Sequence, residues 1–164
     1  MSLDTHQSVY REHLLEHLLI AELLKHSWLH HDAELEVAKP EVDRAGHDIL
    51  LEARGIIRHV QLKTSATDAK TARQKVHVDL ASKPSGCVIW TIFDPDKLDL
   101  GPFLYFGSDA GRPLPVIDEF PVAKHTKGNA LGVKAERPNL RIVSKGKFAK
   151  FDEIAELYAQ LFLA

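Results

Sequence analysis

The stretch GHDILLEARGIIRHVQLK, residues 46 to 63, constrains the fold more than any other. Two apolar runs flank Arg54-Gly55, and apolar runs parted by a short turn dipeptide mark a β-hairpin. A two-residue loop at Arg54-Gly55 sets the pairing, so that Ala53 faces Ile56 and, counting outward, Asp48 faces Gln61. Directly opposed side chains share a face about 5 Å apart, and Lys63, two residues beyond Gln61, returns to that face. Ile49, Val60 and Leu62 turn to the other. A carboxylate, an amide and an ammonium thus converge where an ordinary hairpin needs none of them. A three-residue loop would instead set Asp48 opposite Val60, and Arg-Gly is not the strongest two-residue turn.

The rest of the chain supplies layers for this hairpin. Asp4 with Gln7 three residues on is a capping signature, opening a helix expected to run to about Lys25. From Leu14 to Leu24 that helix is apolar nearly all round, which predicts burial on more than one side. A strand is expected near Glu34 to Ala38. TSATDAKTARQ reads as polar loop or short helix, and KVHVDLA fits strand or helix equally. GCVIWTIF is an unbroken run of β-formers and predicts a buried strand, with PFLYFG as a second. Pro and Gly punctuate residues 107 to 138 as an irregular region, after which LRIVS predicts a last strand. KFDEIAELYAQLFLA closes the chain as an amphipathic helix with Phe151, Ile154, Leu157, Tyr158 and Leu161 on one face. The fold class expected is α/β, with helices packed on one mixed sheet in a single domain, residues 1 to 164.

Composition matters through its unevenness. The net charge is −2, yet carboxylates crowd the first half, whereas Lys124, Lys127, Lys134, Arg137, Arg141, Lys145, Lys147 and Lys150 follow with only Glu136 among them. An acidic pocket separate from a basic surface suits a metal-dependent enzyme acting on a polyanion, and equally suits a solvated basic face with no partner. The single cysteine, Cys87, excludes an internal disulfide and reads as an inert core thiol. No stretch approaches the roughly 20 apolar residues of a membrane span, and the N-terminus lacks signal-peptide features, so a cytoplasmic protein is expected.

A carboxylate and a side-chain carbonyl are hard ligands for Mg²⁺ or Mn²⁺, and a neighbouring lysine can take a proton from a water beside a scissile phosphate. Lysine suits this role because its pKa shifts readily when buried. Glu16 adds a carboxylate amid apolar helix positions, where burial is costly unless a positive group or hydrogen bond meets it. A metal site would meet it, as would a salt bridge.

In this order, a helix carboxylate, Asp48 in AGHD and the VQLK of Gln61 and Lys63 resemble the PD-(D/E)XK nuclease superfamily, the restriction-endonuclease-like fold. The resemblance covers residues 8 to 65. It implies a core of helix, strand meander, helix and further strand. It also implies Asp48 and Gln61 as metal ligands, Lys63 as the catalytic lysine and Glu16 as a supporting ligand. Two positions depart from the pattern: His47 stands in place of proline, and Gln61 in place of the acidic residue. Asp43 is a backup ligand or an exposed turn acid. The implied function is metal-dependent nuclease action on nucleic acid, with DNA the expected substrate, Lys145, Lys147 and Lys150 as a nucleic-acid surface, and a homodimer as in many enzymes of this fold.

Two other readings compete. HLLEH, His13 to His17, fits the H-x-x-E-H pattern of inverted zinc peptidases, but no Glu stands between Glu52 and Glu119 to complete it. A nuclease-like fold kept as an inactive binding module is the second, favoured by the neutral Gln61. His26, His30 and His31 have metal-binding spacing, which a helix end attractive to histidine explains more simply.

Overall fold

The structure, a computed structural model, describes residues 5–164, with side chains from residue 7 onward. Asp4 of the capping signature lies outside them. α1, Thr5–His30, runs five residues further than the pattern's expected end. It stops where Asp32 and Ala33 turn left-handed (φ 51° and 55°) and the amides of His31 and Ala33 bond back to the Ser27 carbonyl at 2.8 and 3.1 Å.

Nine strands follow, in two sheets. The first sheet takes β1 (Glu36–Ala38), β2 (Ile49–Ala53), β3 (Ile56–Ala66), β5 (Gly86–Phe93), β6 (Leu100–Gly107) and β9 (Ala149–Phe151), hydrogen-bonded in that order. The second takes β4 (Arg73–His77), β8 (Glu136–Ser144) and β7 (Val122–Lys124), with β8 central. β3 and β5 are parallel, and the crossover between them is β4 followed by a short 3-10 helix, Val78–Ser82. KVHVDLA is therefore strand and helical turn in succession. The chain closes with α2, Ile154–Phe162, held at its start by a reciprocal capping box of Glu153 and Glu156. Phe151, expected on that helix, pairs instead in β9 opposite Phe103. The fold is a mixed α/β one: N-terminal helix, strand meander with a mixed sheet, C-terminal helix.

The first sheet is buried on both faces because each face has its own cover. β5 is inaccessible along its full length. One face, with Ile49, Leu51, Val60, Cys87 and Ile89, packs on Leu19 and Leu23 of α1 and on Leu157, Leu161 and Phe162 of α2. The opposite face, with Val88, Trp90, Leu104 and Phe106, packs on Val76 and Val143 of the second sheet and on Leu80. Each such aliphatic or aromatic side chain adds about 1.5–3 kcal/mol by leaving water. α1 departs from expectation here. It buries one stripe, Leu15, Leu19, Leu23 and Ser27, while Leu24, Trp28 and Leu29 stand exposed. Its neighbours cover only the side facing the sheet, and composition all round the helix did not show which side that would be. Among the described residues no helix is long and apolar enough to cross a membrane.

Candidate functional site

The hairpin has the expected register. Arg54 and Gly55 both take positive φ (54° and 74°), the two-residue turn whose twist matches the strands, and Ile49 pairs with Val60 through to Ala53 with Ile56. β3 is eleven residues long and β2 only five, so the ladder ends at Val60 and β3 runs on. Asp48 sits at that ending. Its amide donates to the Val60 carbonyl at 2.8 Å, and its Oδ2 accepts the Leu62 N–H at 2.6 Å, standing in for the strand that has stopped. An acidic side chain can satisfy that amide and still offer a second oxygen.

Gln61 and Lys63 stand on the uncovered length of β3. They line one cleft of about 480 Å³ together with Glu12, His13 and Glu16 of α1, Asp43, Asp48 and Gln74. Asp48, Gln61, Lys63 and Glu16, read from sequence as site residues, are thus brought together. Gln61 is 7% exposed, and its Oε1 accepts only a long hydrogen bond, 3.4 Å, from the His77 amide. Glu16 is ion-paired with Lys39, the salt bridge that sequence reading held as the alternative to a metal role. Asp43 accepts the Gly46 N–H at 2.7 Å from an exposed turn. Gly46 itself has φ +74° and lies so close to His77 that a Cβ would run into that side chain, which fixes the approach of the loop carrying Asp48.

Electrostatics in the cleft are tense. Burial raises the Asp48 pKa above the usual carboxylate value; the Leu62 amide and Lys63 offset this in part, and Asp43 and Glu16 add to it. Burial likewise lowers the Lys63 pKa, opposed by Asp48 and Glu12 and reinforced by Lys75 and Arg137. In both groups burial disfavours the charged form more than the opposite charge beside it restores it.

A divalent ion fits this donor set. Among the described residues no three His, Cys, Asp or Glu side chains stand together as a ready cage. Mg²⁺ needs none, since it is bound through one or two protein oxygens and keeps several waters. Asp48 Oδ1 and Gln61 Oε1 would be those oxygens, and added positive charge would relieve the crowding of Asp48 by Asp43 and Glu16.

Of the remaining candidates, only His13 lines the cleft. Lys145 and Lys147 occupy a short 3-10 turn after β8, with the Lys145 ammonium 5.5 Å from the Trp90 ring. Lys150 is on β9, paired with Asp152 at 3.1 Å. Of HLLEH, His13 borders the cleft, and His17 Nδ1 bonds the His13 carbonyl at 2.7 Å, inside its own helix turn. His26 and His31 touch through Nε2 atoms 3.3 Å apart, and His31 stacks on Tyr158. Cys87 is fully buried with its thiol pushed up to about 12, an inert core group as expected. Sequence reading gave no cleft role to Glu12, Lys75, Arg137 or His77. Only Glu12 had a signal, four residues from Glu16 on the same helix face.

No protein-family model matches the chain. A search of curated proteins finds no match either.

Proposed function

We propose that the protein is a metal-dependent nuclease of the PD-(D/E)XK type, hydrolysing phosphodiester bonds of nucleic acid, DNA in the first instance, in the cytoplasm. The observation that carries this is the convergence, on the part of β3 that β2 leaves open, of the Asp48 carboxylate, the Gln61 carbonyl and a Lys63 ammonium of lowered pKa. Lys63, largely withdrawn from solvent, takes the proton of the attacking water or neutralises a phosphate oxygen. Asp48 and Gln61 orient the reacting groups and would hold Mg²⁺ or Mn²⁺. That ion, when bound, supplies the positive charge that the phosphate develops against. Glu12 adds a carboxylate to the cleft lining, where Glu16 is already ion-paired with Lys39.

The pairing of Glu16 with Lys39 and the neutrality of Gln61 favour a second reading, an inactive binding module. Incubation of wild type and Lys63→Ala with plasmid, linear duplex, single strand and RNA, in Mg²⁺, Mn²⁺ or EDTA, separates the two. Metal-dependent cutting that falls by about 10²- to 10⁴-fold in the variant is the expected result. Binding without cutting by either protein leaves the module reading standing.

A further inference from the structure

The chain between β7 and β8 carries more than either core requires. The two strands pair at their base, Val122 with Arg141, Ala123 with Arg137 and Lys124 with Glu136. Beyond Lys124 the hairpin reaches outward, and every residue from 124 to 139 is exposed. Its order comes from its own backbone. The His125 amide donates to the Ala135 carbonyl at 2.9 Å and the Asn129 amide to the Val133 carbonyl at 2.8 Å. The Asn129 side-chain oxygen closes the tip by accepting the amides of Leu131 and Val133. An ordered arm that buries nothing pays conformational entropy with no return from packing, so its return must come from outside the fold.

The chemistry of the arm is one-sided. It holds Lys124, Lys127, Lys134 and Arg137 against Glu136, in a chain whose net charge is −2. Among the described residues, none of these four cations is engaged in an ion pair. The arm's root also meets the cleft. His77 lines a hollow with His125, Arg137 and Asn139, while its amide donates to Gln61. Arg73 and Lys75 of β4 share a second hollow with Lys63. The influence of Lys75 and Arg137 on Lys63 agrees with this proximity. The cations are spread along the arm, Lys124 and Arg137 at its base and Lys127 and Lys134 nearer its tip, and this spacing suits a linear polyanion better than a single phosphate or a compact acidic protein.

We propose that the β7–β8 arm, linked to Lys63 through Arg137 at its base and Lys75 of β4, is the track along which the phosphate backbone of a nucleic acid lies as it leaves the cleft. This rests on the nuclease reading of the cleft. It moves the main binding surface away from Lys145, Lys147 and Lys150. Contacts of this kind read backbone and not bases, so binding is expected to be independent of sequence and steeply dependent on salt.

The test is fluorescence anisotropy with labelled duplex and single-stranded DNA in EDTA, across about 50 to 200 mM salt. Wild type is compared with a variant carrying Lys124→Ser, Lys127→Ser and Lys134→Ser. Because the arm packs against nothing, the variant should keep the circular dichroism spectrum and melting temperature of wild type. Its salt slope should fall by about 0.9 per lost contact on duplex, or 0.7 on single strand, with weaker affinity throughout. Equal affinity and slope in wild type and variant would overturn the track while leaving the cleft reading intact. Absence of any DNA binding by wild type at low salt would sink both. Competition by polyglutamate as effective as that by unlabelled DNA would overturn the assignment to nucleic acid.

Discussion

Asp48 and Lys63 each carry a charge that burial disfavours. The Asp48 carboxyl has a folded pKa raised above its ordinary 3.8, so its favourable contribution is complete below that pH and is lost as pH rises through the folded value. Lys63 has a folded pKa lowered from 10.5, so its contribution is present above that pH and lost as pH falls through the folded value. At neutral pH both groups weigh against folding. Asp48→Asn keeps an oxygen for the Leu62 amide, and Lys63→Met keeps the buried stem. Each is therefore expected to raise the unfolding free energy at pH 7, read by urea titration, by about 0.5–2 kcal/mol, while abolishing metal-dependent cutting. The gain should shrink for Asp48→Asn as pH falls toward 3.8, and for Lys63→Met as pH rises toward 10.5. Equal or lower stability of both variants at pH 7 would show that the two charges are structural.

At the scale of elements, β3 does two jobs at once: it frames the cleft at one end and anchors α2 at the other. Arg58 is fully buried, with Nε donating to the Leu161 carbonyl at 2.8 Å and Nη2 to the carbonyls of Ser108 and Gln160. It thereby satisfies the last turn of α2, where helices leave carbonyls without partners. Arg58→Met retains most of the volume but abandons the Leu161 and Gln160 carbonyls, while that of Ser108 keeps the Tyr105 hydroxyl at 2.7 Å; the loss is about 1–3 kcal/mol for each carbonyl that water cannot reach. Hydrogen exchange should show α2 losing protection before the sheet does, and unchanged protection would mean that apolar packing alone holds the helix. None of this was legible in the sequence, because Arg58 and Leu161 are over a hundred residues apart and a lone arginine in a strand reads as an exposed one. The hairpin was legible for the opposite reason: its partners are close in sequence and its turn dipeptide fixes their register. Glu16 lies between, since its own burial cost was readable but Lys39, coming from beyond α1, was not.

For the molecule as a whole, the first sheet is the middle of three layers, with helices on one side and the second sheet on the other. The sequence showed a sheet buried on both faces through GCVIWTIF, but not that a second sheet forms the far cover. That sheet is built from Arg73 pairing with Ser144 and Val122 with Arg141: LRIVS reads as a strand and KVHVDLA as strand or helix, but β7 lies in the stretch read as irregular and the non-local pairing of the three leaves no local signal. Because β5 gives Cys87 and Ile89 to one core and Val88 and Trp90 to the other, neither core can dissolve without stripping a face of the same strand. The two cores should therefore melt together. Leu157→Ala in the helix-side core and Val76→Ala in the sheet-side core each remove fully buried methyl groups. Losses of about 2–5 and 1–3 kcal/mol are expected on the scale of such truncations. Both should shift a single urea transition in which far-ultraviolet dichroism and the fluorescence of buried Trp90 coincide. The other tryptophan, Trp28, is 74% exposed and can be replaced by Phe so that Trp90 reports alone. If Val76→Ala moved only the Trp90 signal, the second sheet would be a separately melting layer, free to shift against the cleft it borders. A single coincident transition would instead mean that the arm is presented to the cleft on a rigid base.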